Sequence, residues 1–236
     1  MTHDTTSGDD SSPGAASEPV VSALDYWINR PETEQRRALA RGAAALRRVH
    51  NALHATDASP DLLERFADDA ERLADSVELL PRRMTAASVM STETSPDELS
   101  FGDVSPMSGA GSGIAPPMQM SVEGTDVVGR VNFGEAFEGP PGHVHGGWIA
   151  AAFDEVMGLV QSLNTAPGMT GTLEVQYRQP TPLNADLAFR ARVDRVAGRR
   201  IYVEATLHHD QRLLCTSQGL FIEVDFDQMR ALALGN

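Results

Sequence analysis

From about residue 32 apolar side chains recur at three- and four-residue steps, at Leu39, Ala43, Leu46, Val49 or His50, and Leu53. That is the spacing of one helix face. The break HATDASPD follows, with Ser59 placed to cap a helix and Pro60 at its first position. Leu62, Leu63, Phe66, Ala70, Leu73, Val77 and Leu80 then predict a second helix, and the pair reads as a helical hairpin over roughly 33–54 and 60–80. The stretch from about 84 to 117 is rich in Ser, Thr, Gly and Pro and reads as a linker or a long surface crossing.

Beyond it the period changes to that of strands. MQMSVEG and DVVGRVNFG come first, and an apolar helical stretch at 148–162 follows. Then come TGTLEVQYR, DLAFRARVDRV, RRIYVEATLHH and RLLCTSQGLFIEV, joined by the short connections QPTPLNA, AG and DQ. Adjacent runs joined so briefly must be antiparallel, because a parallel neighbour needs a long crossover. The order is β-β-α-β-β-β-β. Its single helix is apolar on most faces and therefore buried, and a sheet wrapped around it is the economical way to bury it. The expected fold class is α+β. The expected division is an acidic disordered tail over 1–31, the helical hairpin over 32–83, a linker over 84–115, one sheet-and-helix domain over 116–227, and a tail over 228–236.

Composition narrows the chemistry. The chain has 236 residues and a formal net charge of −14, and all 19 of its basic residues are arginine. Without lysine there is no Schiff-base chemistry, no pyridoxal-phosphate anchor and no P-loop lysine. The acidic balance argues against general nucleic-acid binding and against adsorption to anionic membranes. The single cysteine, Cys215, allows no internal disulfide, and with apolar neighbours it reads as a core thiol. No secretory signal and no apolar run long enough for a membrane span are visible, so a cytoplasmic protein is expected. His143 and His145 alternate but lack further ligands for zinc, and no metal or cofactor is expected. His208, His209 and Asp210 read as a surface turn, and Trp148 reads as packing.

The candidate chemistry is concentrated in EGPPGHVHGGWIAAAFDEVMG, residues 138–158. His145, Gly146 and Gly147 lead into the buried helix. The first N–H groups of a helix have no intrahelical acceptor, and two glycines there allow a ligand to approach the backbone. Such a site suits an anion or a carbonyl oxygen that becomes one. Asp154 follows His145 by nine positions on the same apolar helix, where a carboxylate is costly unless it has a partner or a task. Glu155, about 100° further round, reads as structural or interfacial.

This segment resembles the hotdog-fold acyl-CoA thioesterase superfamily, in particular the phenylacetyl-CoA (PaaI-like) type, whose signature is His-Gly-Gly followed by an acidic residue nine positions after the His. The likeness extends over about 116–227 and includes TGTLEVQYRQPTP, where Thr170 stands at a position that carries Thr or Ser near the catalytic carboxylate in many relatives. It implies a hotdog fold: an antiparallel six-stranded sheet wrapped around a central helix, here with an N-terminal helical hairpin. It further implies hydrolysis of acyl-CoA thioesters. The Gly147 N–H would polarise the carbonyl, and His145 would orient the loop or the carbonyl. Asp154 from a neighbouring subunit would act as general base or nucleophile, held with the water by Thr170. The expected assembly is a homodimer or a dimer of dimers, a homotetramer. Gly146 would admit the substrate, and Arg178, Arg199 and Arg200 are the candidates to hold the CoA phosphates. The alternatives are a non-catalytic acyl-CoA-binding hotdog module and a hotdog enoyl-CoA hydratase or dehydratase.

Overall fold

The computed structural model describes residues 28–81, 99–116, 118–164 and 168–225. Nearly all of the expected tail over 1–31, the first half of the expected linker and the tail over 228–236 lie outside the described residues.

The two expected N-terminal helices are present as α1 (Glu34–His54) and α2 (Pro60–Glu78). Thr33 caps α1, its hydroxyl accepting the Arg36 N–H at 3.2 Å, and Ala43 is buried on the inner face. The carboxamide oxygen of Asn51 accepts the Ala136 N–H at 3.0 Å and ties the end of α1 to a single 3-10 turn at Glu135–Phe137. α2 has the predicted apolar stripe but none of its residues is buried; Leu62, Leu73 and Val77 are each at least half exposed. The pair therefore forms as helices without closing into a packed hairpin.

Residues 99–116, expected within a linker, are packed instead. Short helix α3 (Phe101–Val104) carries a capping box between Ser100 and Asp103, and Asp103 pairs with Arg30 at 2.6 Å and with Arg36 at 3.2 Å. Ser105, Met107, Ser112 and Ala115 are buried. Arg47 of α1 donates to the Ser112 carbonyl at 2.7 Å, and Gly111 and Gly113 lie against Leu39 and Leu46. Composition misleads here because serine and glycine are read as solvated, whereas these small residues let α1 approach closely.

The domain that follows contains β1 (Gln119–Glu123), β2 (Asp126–Val131), α4 (Gly146–Asn164), β3 (Gly168–Tyr177), β4 (Leu187–Ala197), β5 (Arg200–His209) and β6 (Arg212–Glu223). The six strands form one antiparallel sheet in the order β1-β2-β4-β5-β6-β3, wrapped around α4 in the hotdog arrangement. Every direction is antiparallel as expected, yet the adjacency of β3 and β4 is not. The 178–186 connection crosses the sheet, so β3 pairs only with β6 and forms an edge. Phe153, Val156, Met157 and Val160 of α4 are fully buried against the sheet, with Phe153 edge-on to Phe189 at 5.0 Å. Glycine makes that approach possible at two places. A Cβ on Gly129 would lie 2.8 Å from Val156, and one on Gly219 would lie 2.7 Å from Met157.

Candidate active site

The loop before α4 is fixed by its own backbone. The His143 N–H donates to the Pro140 carbonyl at 2.9 Å, and Gly142 takes φ +75°, a conformation glycine adopts freely. The Gly142 N–H donates to the Glu138 carboxylate at 2.6 Å, and the His145 N–H donates to the Phe137 carbonyl at 2.9 Å. The His145 carbonyl accepts the Trp148 N–H at 3.0 Å, so helical bonding begins there and α4 opens at Gly146, two residues earlier than the apolar run suggests. His145 also caps the helix with its ring: Nδ1 accepts the Gly147 N–H at 3.0 Å. A carbonyl oxygen that takes this N–H must displace the imidazole, and both His145 and Gly147 are exposed enough to allow it.

Asp154 lies on the face of α4 that looks towards β3, half-buried rather than enclosed, and the Thr170 hydroxyl donates to its Oδ1 at 2.7 Å. Thr170 reaches α4 because the β3–β6 register shifts between Thr170 and Thr172. One extra residue, Gly171, reverses the alternation. Thr170 thereby shares the inner face with Leu173, Val175 and Tyr177, where a regular strand would turn it outward. Gly147 and Asp154 are seven residues apart on one helix, about 10 Å along its axis.

The three arginines do not converge. Arg178 follows β3 at the end where Tyr177 pairs with Cys215, whereas Arg200 opens β5 beside Ile222, at the opposite end of the sheet. The Arg199 guanidinium donates to the Glu223 carbonyl at 2.8 Å. Only Arg178 borders the helix start, where a recess of about 450 Å³ is lined by Pro140, Gly146, Ile149, Tyr177, Arg178 and Thr181.

Other residues take structural places. Glu155 accepts hydroxyl bonds from Ser105, at 2.5 Å, and from Ser108, joining α4 to the 99–116 segment. Trp148 stacks edge-on to Phe137 at 5.0 Å. Cys215 is fully buried, and burial pushes its thiol above the usual range. His209 lies at the β5–β6 turn, its ring within 3.1 Å of the Asp186 carbonyl. Tyr177 was not singled out by sequence, yet its phenol donates to the Gly146 carbonyl at 2.8 Å. An aromatic residue in a strand is ordinary, and no spacing links it to a helix start 31 positions away.

Residues 141–216 match the family described as the thioesterase superfamily. The chain carries a thioesterase-superfamily domain. This domain is similar to acyl-coenzyme A thioesterase THEM4 of Xenopus laevis, 32% identical over 93 residues that cover 39% of this chain and 42% of the relative. It is likewise 32% identical to THEM4 of Mus musculus over 90 residues, 37% of this chain and 39% of the relative. The chain thus spans about two fifths of the length of these curated relatives. A solved structure described as a thioesterase superfamily protein matches with a TM-score of 0.69 at 28% identity, over 82% of this chain and 93% of that one. That match extends well beyond the thioesterase-superfamily domain, over more of the chain than the domain occupies. Among the described residues no helix is long and apolar enough to cross a membrane.

Proposed function

We propose that this protein hydrolyses acyl-CoA thioesters and does so as a homodimer, with each site shared between two copies. The observation that carries the reading is the Thr170–Asp154 pair at 2.7 Å, set on the same helix that presents the Gly147 N–H at its start. The thioester carbonyl takes the Gly147 N–H in place of His145, and the oxyanion is stabilised there as the carbonyl carbon becomes tetrahedral. Asp154 takes a proton from water as the water oxygen attacks that carbon. The C–S bond then breaks, and the proton passes to the departing CoA sulfur. The Thr170 hydroxyl holds Oδ1, leaving Oδ2 for the water. In the alternative route, direct attack by Asp154 would give an anhydride. A single turnover in ¹⁸O-water separates the two: the base route puts the label in the product acid, and the anhydride route, opened by water at the Asp154 carboxyl, leaves it in the protein.

One copy cannot supply both groups, since a carbonyl spans a few ångströms and Gly147 and Asp154 are about 10 Å apart along α4. The free edge of β3 offers the remedy. Two copies paired along β3 about a two-fold axis at Glu174, with the extra residue Gly171 taking up one step, bring Thr170 of one opposite Tyr177 of the other. That pairing sets Asp154 of one copy towards Gly147 of its mate. It also brings Arg178 of one copy to the sheet end that carries Arg199 and Arg200 of the other.

Two expectations follow from this arrangement. Thr170→Val lowers kcat about tenfold, the loss of one hydrogen bond to a charged group, with little change in KM; steady-state thiol release measures it, and unchanged kcat refutes the role. Arg178→Ala raises KM for acyl-CoA by about tenfold and leaves KM for a pantetheine thioester unchanged, because only the nucleotide brings the phosphates that a guanidinium can fork. Equal effects on both substrates refute the phosphate contact. A cytoplasmic location and any dimer of dimers belong to this reading as well; light scattering of the purified chain tests the assembly.

A further inference from the structure

We propose that Tyr177 is a positioning residue for the Gly147 N–H, acting through the peptide that joins Gly146 to Gly147; the inference rests on the thioesterase reading above. The Gly146 carbonyl and the Gly147 N–H are opposite ends of one planar, resonance-stiffened unit, so whatever orients the first orients the second. The Tyr177 hydroxyl donates to that carbonyl at 2.8 Å. The peptide lies in the first turn of α4, where backbone groups have the fewest intrahelical partners and terminal turns fray most readily. A bond from a neighbouring strand resists that fraying. It also polarises the amide, since hydrogen bonding at the oxygen strengthens donation at the nitrogen.

Three further features fit the role. The Tyr177 ring packs directly beside the helix start, since a Cβ on Gly146 would stand in ordinary van der Waals contact with it, at 3.4 Å. The Gly171 bulge that turns Thr170 towards Asp154 also sets the parity of β3, and Tyr177 stands on the same inner face. One strand thus supplies a hydroxyl to the carboxylate at one end and a hydroxyl to the oxyanion peptide at the other. Burial, and secondarily the neighbouring Cys215, push the phenol above the ordinary tyrosine range, so it remains a donor wherever the hydrolysis runs.

The test is Tyr177→Phe, which keeps the ring against Gly146 and removes only the O–H. Its kcat for acyl-CoA falls about tenfold, less than the 10²- to 10³-fold typical of losing a direct oxyanion donor. KM, the melting temperature and the affinity for an S-alkyl-CoA thioether, which lacks the carbonyl, stay at wild-type values. In the Asp154→Asn background, the stretching frequency of a ¹³C-labelled thioester carbonyl lies below its solution value, and adding Tyr177→Phe moves it back towards solution. Wild-type hydrolysis with full kcat and an unmoved carbonyl band in the Phe variant overturns this inference alone. So does a parallel loss of kcat, thioether affinity and melting temperature, which marks a purely structural tyrosine. Absence of thiol release from the wild-type chain overturns the thioesterase reading, and this inference with it.

Discussion

Asp154→Asn lowers thiol release from acyl-CoA by about 10²- to 10⁴-fold, the contribution of a positioned general base, while the variant folds and assembles as the parent does. The amide is the same size as the carboxylate, and its oxygen can still accept the Thr170 hydroxyl that Oδ1 accepts at 2.7 Å. Asp154 is half-buried and no described arginine pairs with it, so removing its charge strands no buried partner. Thiol release over a panel of acyl- and aryl-CoA esters, with circular dichroism and light scattering as controls, reads the result. Undiminished turnover removes Asp154 from the chemistry.

The proposed sharing of each site between two copies makes the same variant informative in a mixture. Gly147→Pro deletes the N–H donor at a first-turn position that tolerates proline. Each variant alone is inactive. Mixed and re-equilibrated in equal amounts, half of the dimers are hybrids and each hybrid holds one intact site, so about a quarter of wild-type activity returns. No recovery, with exchange verified by mass, means that both groups act within one copy.

Phe153→Ala costs about 3–5 kcal/mol of stability, the range for truncating a fully buried phenylalanine. Phe153 is 0% exposed, sits mid-way along α4 and packs edge-on against Phe189 of β4 at 5.0 Å. The cavity cannot close easily because α4 already touches the sheet backbone at Gly129 and Gly219, so the helix has no room to sink further. The measurement is the denaturant midpoint at constant m-value. A loss below about 1 kcal/mol would mean the core repacks, contrary to its tight contacts.

The local elements were largely legible in the chain. Three- and four-residue steps marked α1 and α2, alternation marked the strands, and an apolar helix among them implied a sheet wrapped round it. His145, Gly146, Gly147 and Asp154 stood out because glycines at a helix mouth and a carboxylate on an apolar helix are locally costly without a task. These signals are carried by near neighbours in sequence, which is why they survive without a structure. The apolar stripe of α2 shows the limit of the method: periodicity predicted the helix, but whether its apolar face packs depends on a partner surface that periodicity does not name, and none of its residues is buried.

Contacts between distant segments decided the rest. Short connections implied neighbouring strands, yet the 178–186 segment carries the chain across the sheet and leaves β3 as the edge, an arrangement set by which surfaces cover α4. The arginines looked like one phosphate site in a list of residues and lie at two ends of a sheet in space. Ser105 and Ser108 were linker composition until Glu155 was seen to accept from both. Thr170 meets Asp154 only because a single extra residue in β3 turns it inward, and Tyr177 reaches Gly146 from 31 positions away. The chain specifies its helices, strands and reactive groups through short-range pattern. Convergence of those groups depends on register and strand order, which many weak long-range contacts settle together.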